Sequence, residues 1–207
     1  MPLPKKLLTI KNELIASNMH LSSKFQDGRI NSAVNENTII NSISKFTKID
    51  KPRARSWFDF SFTENGILYP VNIKITTTNT ADNINCKLGI YYALTGLIPD
   101  FPNEINWLHY FELLYENIGL HKTNDYYFLV VNKDDNSDII VNSLKGLSKI
   151  QPNGNNFPFQ CKWDSNREVK ENSFNEAKDL ILGTFGESIK LRAEIYFNFK
   201  RYFPEYV

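Results

Sequence analysis

The feature that most constrains this chain is the pair Asn65-Gly66, set between two runs rich in aromatic and β-branched residues. Before it stands Ser56-Trp57-Phe58-Asp59-Phe60-Ser61-Phe62, and after it the run from Ile67 to Thr77. Asn-Gly accepts positive φ at both central positions of a type I′ turn, whose twist matches the flanking strands. It is the strongest short-range signal for a two-residue hairpin. With Asn65 and Gly66 as the loop, Glu64 opposes Ile67, and every opposed pair has residue numbers that sum to 131. Pairs alternate between hydrogen-bonded and non-hydrogen-bonded outward from the turn. Pro70 then faces Ser61 in the non-hydrogen-bonded class, where a missing N–H costs this ladder nothing. Asp59 faces Asn72 in the same class, with Cβ atoms expected about 4.5–5.5 Å apart.

Strand alternation sorts the two faces. Phe58, Phe60, Phe62, Val71, Ile73 and Ile75 form an apolar face, and Asp59, Ser61, Asn72, Lys74 and Thr76 share the other. A carboxylate, an amide and an ammonium group therefore project together. An ordinary half-solvated hairpin presents the same kind of face to water. A helix predicted over Ser32 to Phe46 adds a second carboxylate. Glu36 lies three, four and seven residues before Ile39, Ile40 and Ile43, which puts it on the apolar stripe. A charge there is either paired or metal-bound, or it profits from the helix N-terminus while still partly wet.

Around this hairpin the patterning predicts helices over Leu3–Ser17, Ile84–Thr95 and Glu104–Asn117. Gly96 is the expected C′ residue of the second and Asn103 the expected N-cap of the third. Asp27-Gly28 reads as a turn. Strands are predicted over Tyr126–Asn132, Asp138–Asn142 and Phe157–Trp163. The capping box Ser173-x-x-Glu176 opens a long helix reaching towards Pro204, read as core with a dimer contact as the alternative. This order predicts an α/β (α+β) chain, a central mixed β-sheet flanked by helices. No repeat or linker interrupts it, so a single domain over residues 1–207 is expected.

Composition removes several function classes. At 42% hydrophobic the chain can bury a core, which excludes wholesale disorder. No apolar run approaches the roughly 20 residues of a membrane span, and Met1 to Lys6 lacks a secretory h-region. Cys86 and Cys161 are too few for a disulfide scaffold or a Cys-rich zinc site. A soluble protein in a reducing, cytoplasmic setting is expected. With 24 Lys+Arg against 23 Asp+Glu the net charge is +1, so any nucleic-acid argument must rest on local clustering. Lys48, Lys51, Arg53 and Arg55, just before the Asp59 strand, supply such a cluster. An ordinary solvated loop has the same composition.

Asp59 followed across a hairpin by Asn72-Ile73-Lys74, with Glu36 upstream on a helix, resembles the PD-(D/E)xK nuclease motif. Ile73-Lys74-Ile75-Thr76-Thr77, leading into Lys87-Leu88-Gly89-Ile90, resembles type II restriction endonucleases, closest to their blunt-cutting branch. Asn153-Gly154-Asn155-Asn156 resembles the Gly-Asn-rich base-reading loop of that branch. The likeness spans Glu36 to Arg167 and departs from the motif at two positions. Phe58 stands in place of the proline, and Asn72 in place of the second acid.

The resemblance implies a restriction-endonuclease-like core and Mg²⁺-dependent, sequence-specific hydrolysis of double-stranded DNA in a bacterial cytoplasm. Asp59, Asn72, Lys74 and Glu36 would form the catalytic set, with Asp59, Asn72 and Glu36 as metal ligands. An amide oxygen can ligate Mg²⁺ but brings no charge. Either Glu36 compensates in a native variant site, or the chain is an inactivated Asp→Asn form. Lys51, Arg53, Arg55 and Thr76 would contact DNA, as would Asn153, Asn155, Asn156, Gln160, Asn166 and Arg167. A symmetric duplex site would be met by a homodimer. The alternatives are a nuclease fold that binds specific DNA without cutting, and a structure-directed repair nuclease.

Overall fold

The computed structural model describes the chain apart from residues 1, 18–20, 22–27, 54–55 and 103, and apart from the side chains of 28–33. Asp27 of the expected turn, Arg55 and the expected cap Asn103 lie outside the described residues.

The hairpin forms in the predicted register. Strand β1 (Phe60–Glu64) pairs antiparallel with β2 (Ile67–Thr76), with Phe60 opposite Val71, Ser61 opposite Pro70 and Glu64 opposite Ile67. Asn65 and Gly66 both take positive φ, 51° and 76°, as a type I′ turn requires. Ser61 sends its own N–H and C=O outward to Asp50, at 3.0 and 2.8 Å. It therefore faces Pro70 with no ladder bond, and Asp50 covers this part of the edge strand.

Two further strands complete a mixed sheet, β4 (Tyr127–Asn132) and β5 (Ile139–Ser143), in the order β1-β2-β4-β5. β2 and β4 are parallel and the outer pairs antiparallel. A parallel pair needs a long crossover, which here carries β3 (Ala81–Ile84), α3 (Lys87–Thr95) and α4 (Trp107–Asn117).

Alternation along β4 feeds two cores. Tyr127, Leu129 and Val131 join Phe60, Phe62, Val71 and Ile73 beneath α1 (Lys5–Ala16) and α2 (Gly28–Phe46), which contribute Leu7, Ile10, Leu14, Ile39 and Ile43. Phe128 and Val130 point the other way, to Ile90 and Leu94 of α3, Tyr110 of α4, and Ile181 and Phe185 of α5 (Phe174–Tyr202). Each such fully buried side chain contributes about 1.5–3 kcal/mol. The chain is thus a mixed α+β structure whose mixed sheet is flanked by helices. Among the described residues no helix is long and apolar enough to cross a membrane.

Several expectations are corrected. β3 joins β7 (Phe159–Lys162) and β6 (Gln151–Pro152) in a second, antiparallel sheet. Ile84 was expected in a helix, but its pairing with Phe159 holds it in β3, and the helix starts only at Lys87. Asn106 caps α4, its side chain accepting from the His109 N–H at 3.1 Å. Gly96 ends α3 at φ 75°, where an added Cβ would stand 2.3 Å from the His121 Cβ. The Ser173–Glu176 capping box forms as predicted. The helix it opens is only half core: Ala177, Ile181, Phe185 and Ser188 are buried, and every residue from Lys190 onward is exposed.

Candidate active site

The chain reaches the hairpin with an irregularity that alternation alone does not predict. The Asp59 N–H donates to the Val71 carbonyl at 2.9 Å, although a non-hydrogen-bonded position should have no such bond, and the paired ladder begins only at Phe60. Phe58 consequently leaves the apolar face assigned to it and packs with Trp57 against the opposite core. The Tyr126 hydroxyl donates to the Trp57 carbonyl at 2.7 Å and pins this turn. Where β1 is missing, the Ile73 N–H has lost its strand partner, and a buried N–H must be satisfied. The Asp59 carboxylate supplies the acceptor: Oδ2 receives the Ile73 N–H at 2.6 Å and the Asn72 Nδ2 at 2.7 Å.

Burial pushes the Asp59 carboxyl above its ordinary range, opposed by the Ile73 hydrogen bond and the Lys74 charge. The side chains of Asp59 and Asn72 meet as the register demands, with the amide nitrogen turned towards the carboxylate. Two facing oxygens would repel, so this orientation is the favoured one without a cation between them.

Lys74 projects from the same strand, two residues on. Its Nζ donates to the Asn83 carbonyl at 2.9 Å and lies 3.9 Å from the Asp82 carboxylate. Asp82 in turn accepts from the Trp163 Nε1 at 2.9 Å. This carboxylate was missed in the sequence. The available signal was its place two residues before Ile84, on the inward side of a short strand. The same argument had singled out Glu36.

Glu36 reaches the site from α2. A cleft of about 330 Å³ is lined by Glu36, Asn37, Lys51, Arg53, Ser56 and Asp59, among others. Two carboxylates from distant parts of the sequence thus share one cleft with two exposed cations of the preceding loop. Lys51 donates to the Asn41 side chain at 3.2 Å, which draws that loop onto α2.

Among the described residues, no group of three or more His, Cys, Asp and Glu side chains could hold a metal ion. The donors at Asp59 are one carboxylate and one amide. Mg²⁺ takes oxygen ligands, keeps several waters, and commonly binds through one or two carboxylates. Asp59 and Glu36 line an open cleft and fit that pattern, and the Asn72 amide adds an oxygen when it turns that oxygen towards Asp59.

The residues assigned to DNA contact fall into three groups. Lys51 and Arg53 are exposed at the cleft, and Thr76 is half-buried at the end of β2. In the late loop, Asn153 is fully employed. Its Oδ1 accepts the N–H groups of Asn155 and Asn156 at 3.0 and 3.1 Å, and its Nδ2 donates to Asn83 at 2.8 Å and Gln160 at 3.2 Å. Asn155 and Asn156 keep exposed side chains. Asn83 therefore joins this loop to the strand carrying Lys74.

The third group is structural. Asn166 is 0% exposed, accepts from the N–H groups of Ser148 and Lys149, and donates to the carbonyls of Lys149 and Lys162. It offers nothing to a base edge, because its polar atoms hold two loops together. Arg167 is forked onto Asp138 at 2.8 and 2.9 Å and onto Asp164 at 2.7 and 2.9 Å, which raises its pKa further.

No family model matches this chain, and no curated protein matches it either.

Proposed function

We propose that this chain is a Mg²⁺-dependent nuclease of the PD-(D/E)xK type, cutting double-stranded DNA at specific sequences as type II restriction endonucleases do. One observation carries the reading. Asp59 and Asn72 touch at the open end of a hairpin, Lys74 projects from the same strand, and Glu36 shares the cleft from a separate helix. The oxygens of Asp59 and Asn72 would hold Mg²⁺, with Glu36 directly or through water. Bound there, the ion would polarise a phosphoryl oxygen and lower the pKa of a water.

Lys74 would orient the attacking water and offset charge developing on the phosphate, a role that needs its ammonium held in place. The Asn83 carbonyl and Asp82 carboxylate do this from one side. Lys51 and Arg53 would neutralise backbone phosphates entering the cleft, and the exposed Asn155 and Asn156 would face base edges. The test is digestion of a long, defined duplex with Mg²⁺. Discrete, reproducible bands support the proposal, and a smear or structure-dependent nicking supports a repair-type nuclease.

The hydrogen bond from Asn72 to Asp59 favours a second reading, a nuclease fold that binds specific DNA without cutting it. It ties up the Asp59 carboxylate and adds no second charge beside it. Intact duplex together with a salt-dependent mobility shift would support this version.

A further inference from the structure

The loop that carries Asn155 and Asn156 is held from two sides. On one side α5 fixes its backbone. The Asn153 N–H donates to the hydroxyl of the fully buried Ser188 at 2.9 Å. The Arg192 guanidinium lies over the Phe157 ring and donates to the Gly154 and Asn155 carbonyls at 2.7 and 2.6 Å. Leu191 approaches Gly154 so closely that an added Cβ would stand 2.9 Å from the Leu191 Cβ. The Asn155 and Asn156 side chains are left exposed.

On the other side the loop rests on β3, and the contact fixes the sense of the amides. Asn153 Oδ1 accepts the N–H groups of Asn155 and Asn156 at 3.0 and 3.1 Å, so its Nδ2 faces the other way as a donor. That nitrogen donates to Asn83 Oδ1 at 2.8 Å and to Gln160 Oε1 at 3.2 Å. Asn83 and Gln160 oppose each other across β3 and β7, so one amide clasps the two strands. β3 is the edge of its sheet, paired among the described strands with β7 alone. The clasp sits at the very residue whose backbone carbonyl accepts the Lys74 ammonium at 2.9 Å. Three hydrogen bonds, at 3.0, 2.8 and 2.9 Å, thus lead from the Asn155 backbone to Lys74 Nζ.

We propose that Asn83 is a positioning residue that couples base recognition to the reaction. The loop seated on matching base edges keeps Asn153 on Asn83, and the Asn83 carbonyl then holds the Lys74 ammonium where the phosphate reacts. A wrong base draws Asn153 away and loosens the lysine. Coupling of this kind travels through contiguous contacts. A misplacement of about 1 Å is enough to slow a positioned reaction by about 10²-fold, and Asn83 holds both ends of the link.

This inference rests on the nuclease reading and is tested separately from it. The wild-type site is mapped from its discrete digestion bands. Single-turnover rates with protein in excess, and affinities without Mg²⁺, are then measured on a duplex carrying that site and on duplexes with one base pair changed. Asn83→Ala removes the side-chain acceptor on a half-buried edge strand and leaves the backbone carbonyl. It is expected to unfold cooperatively, to cut the mapped site at least tenfold more slowly, and to bind it within twofold of the wild type. The gap in rate between mapped and altered sites is expected to narrow.

The fixed sense of the amides gives an asymmetric control. Asn83→Asp keeps the acceptor and is expected to recover most of the rate. Asn153→Asp still accepts from the Asn155 and Asn156 N–H groups but loses the donor, and is expected to be at least as slow as Asn83→Ala. The double variant Asn83→Ala/Asn153→Asp should be no slower than Asn153→Asp alone. A wild type that gives no discrete bands overturns the nuclease reading and this inference with it. Where the wild type does give bands, an unchanged rate in Asn83→Ala overturns the inference alone. So does equal slowing at mapped and altered sites, which makes Asn83 structural, or a rate lost through weaker binding.

Discussion

The Asn72 side-chain amide donates to the Asp59 carboxylate at 2.7 Å, across the end of a hairpin whose regular ladder stops one residue short of them. The contact makes the site self-satisfied without a cation, and it gives the substitution Asn72→Asp a defined consequence. Two carboxylates at that distance repel, so the metal-free variant should lose about 1–3 kcal/mol of stability. Mg²⁺ should restore much of that loss while raising the wild-type melting temperature less, because the wild-type site carries one charge fewer. Cleavage should rise at least tenfold. Equal Mg²⁺ effects on the two melting curves would remove the case for a metal position here.

Lys74→Ala should abolish cleavage, by about 10²–10³-fold if its ammonium offsets transition-state charge, while the unfolding transition stays cooperative. Asp82→Asn leaves the Lys74 charge in place but removes the carboxylate 3.9 Å away. It should lower the rate about tenfold, because it removes one of the two groups that hold the ammonium in place. An unchanged rate would make Asp82 merely a partner of the Trp163 indole.

Asp59 also has a signature in stability. Burial raises its folded-state pKa above the ordinary carboxylate value of about 3.9. The folded chain then holds this proton more tightly than the unfolded chain. Stability therefore falls as pH rises between the two values, and the full cost is present above the raised one. In urea titrations, wild-type stability minus that of Asp59→Asn should decline across this acid window and level off above it. Asp125, buried and shifted the same way, is common to both proteins and cancels. A difference that is flat throughout the acid range would contradict the assignment.

Asn166→Ala should behave as a folding mutation. It strands at least four backbone groups that the amide now satisfies. At about 1–3 kcal/mol for each buried group left unpaired, a loss of 3 kcal/mol or more in urea unfolding is expected. DNA affinity per folded molecule should not change.

Arg53→Ala should weaken DNA binding uniformly across sequences and reduce the slope of log K against log salt by about one. A sequence-selective loss instead would mean that the cleft loop reads bases.

Much of the hairpin was legible because its determinants are local. The positive φ of Asn65 and Gly66 and the two-residue period set the register from Glu64 to Phe60, and Asp59 meets Asn72 one residue beyond that ladder through its side chain. The helix period brought Glu36 only half-buried beside Ile40 at the cleft, while Asn35 takes the buried place on the Ile39–Ile43 stripe; the capping box marked the start of α5. Where partners lie far apart in the chain, these rules failed. Ile84 follows a helical pattern but is claimed by Phe159, and Asn166 reads as a polar surface residue but holds loops from Ser148 to Lys162.

The amino-acid sequence by itself determined which side chains share a strand face, because backbone geometry makes that a matter of counting. Only the tertiary structure decided what those side chains meet. Asp59 satisfies an N–H that its own strand abandoned, and Asp82 arrives beside Lys74 on a strand recruited by β7. The apolar stripe of α5 runs past the end of the core that it was patterned to cover. Each outcome depends on non-local pairing and on where the packed core ends, and neither is encoded in the spacing of neighbouring residues.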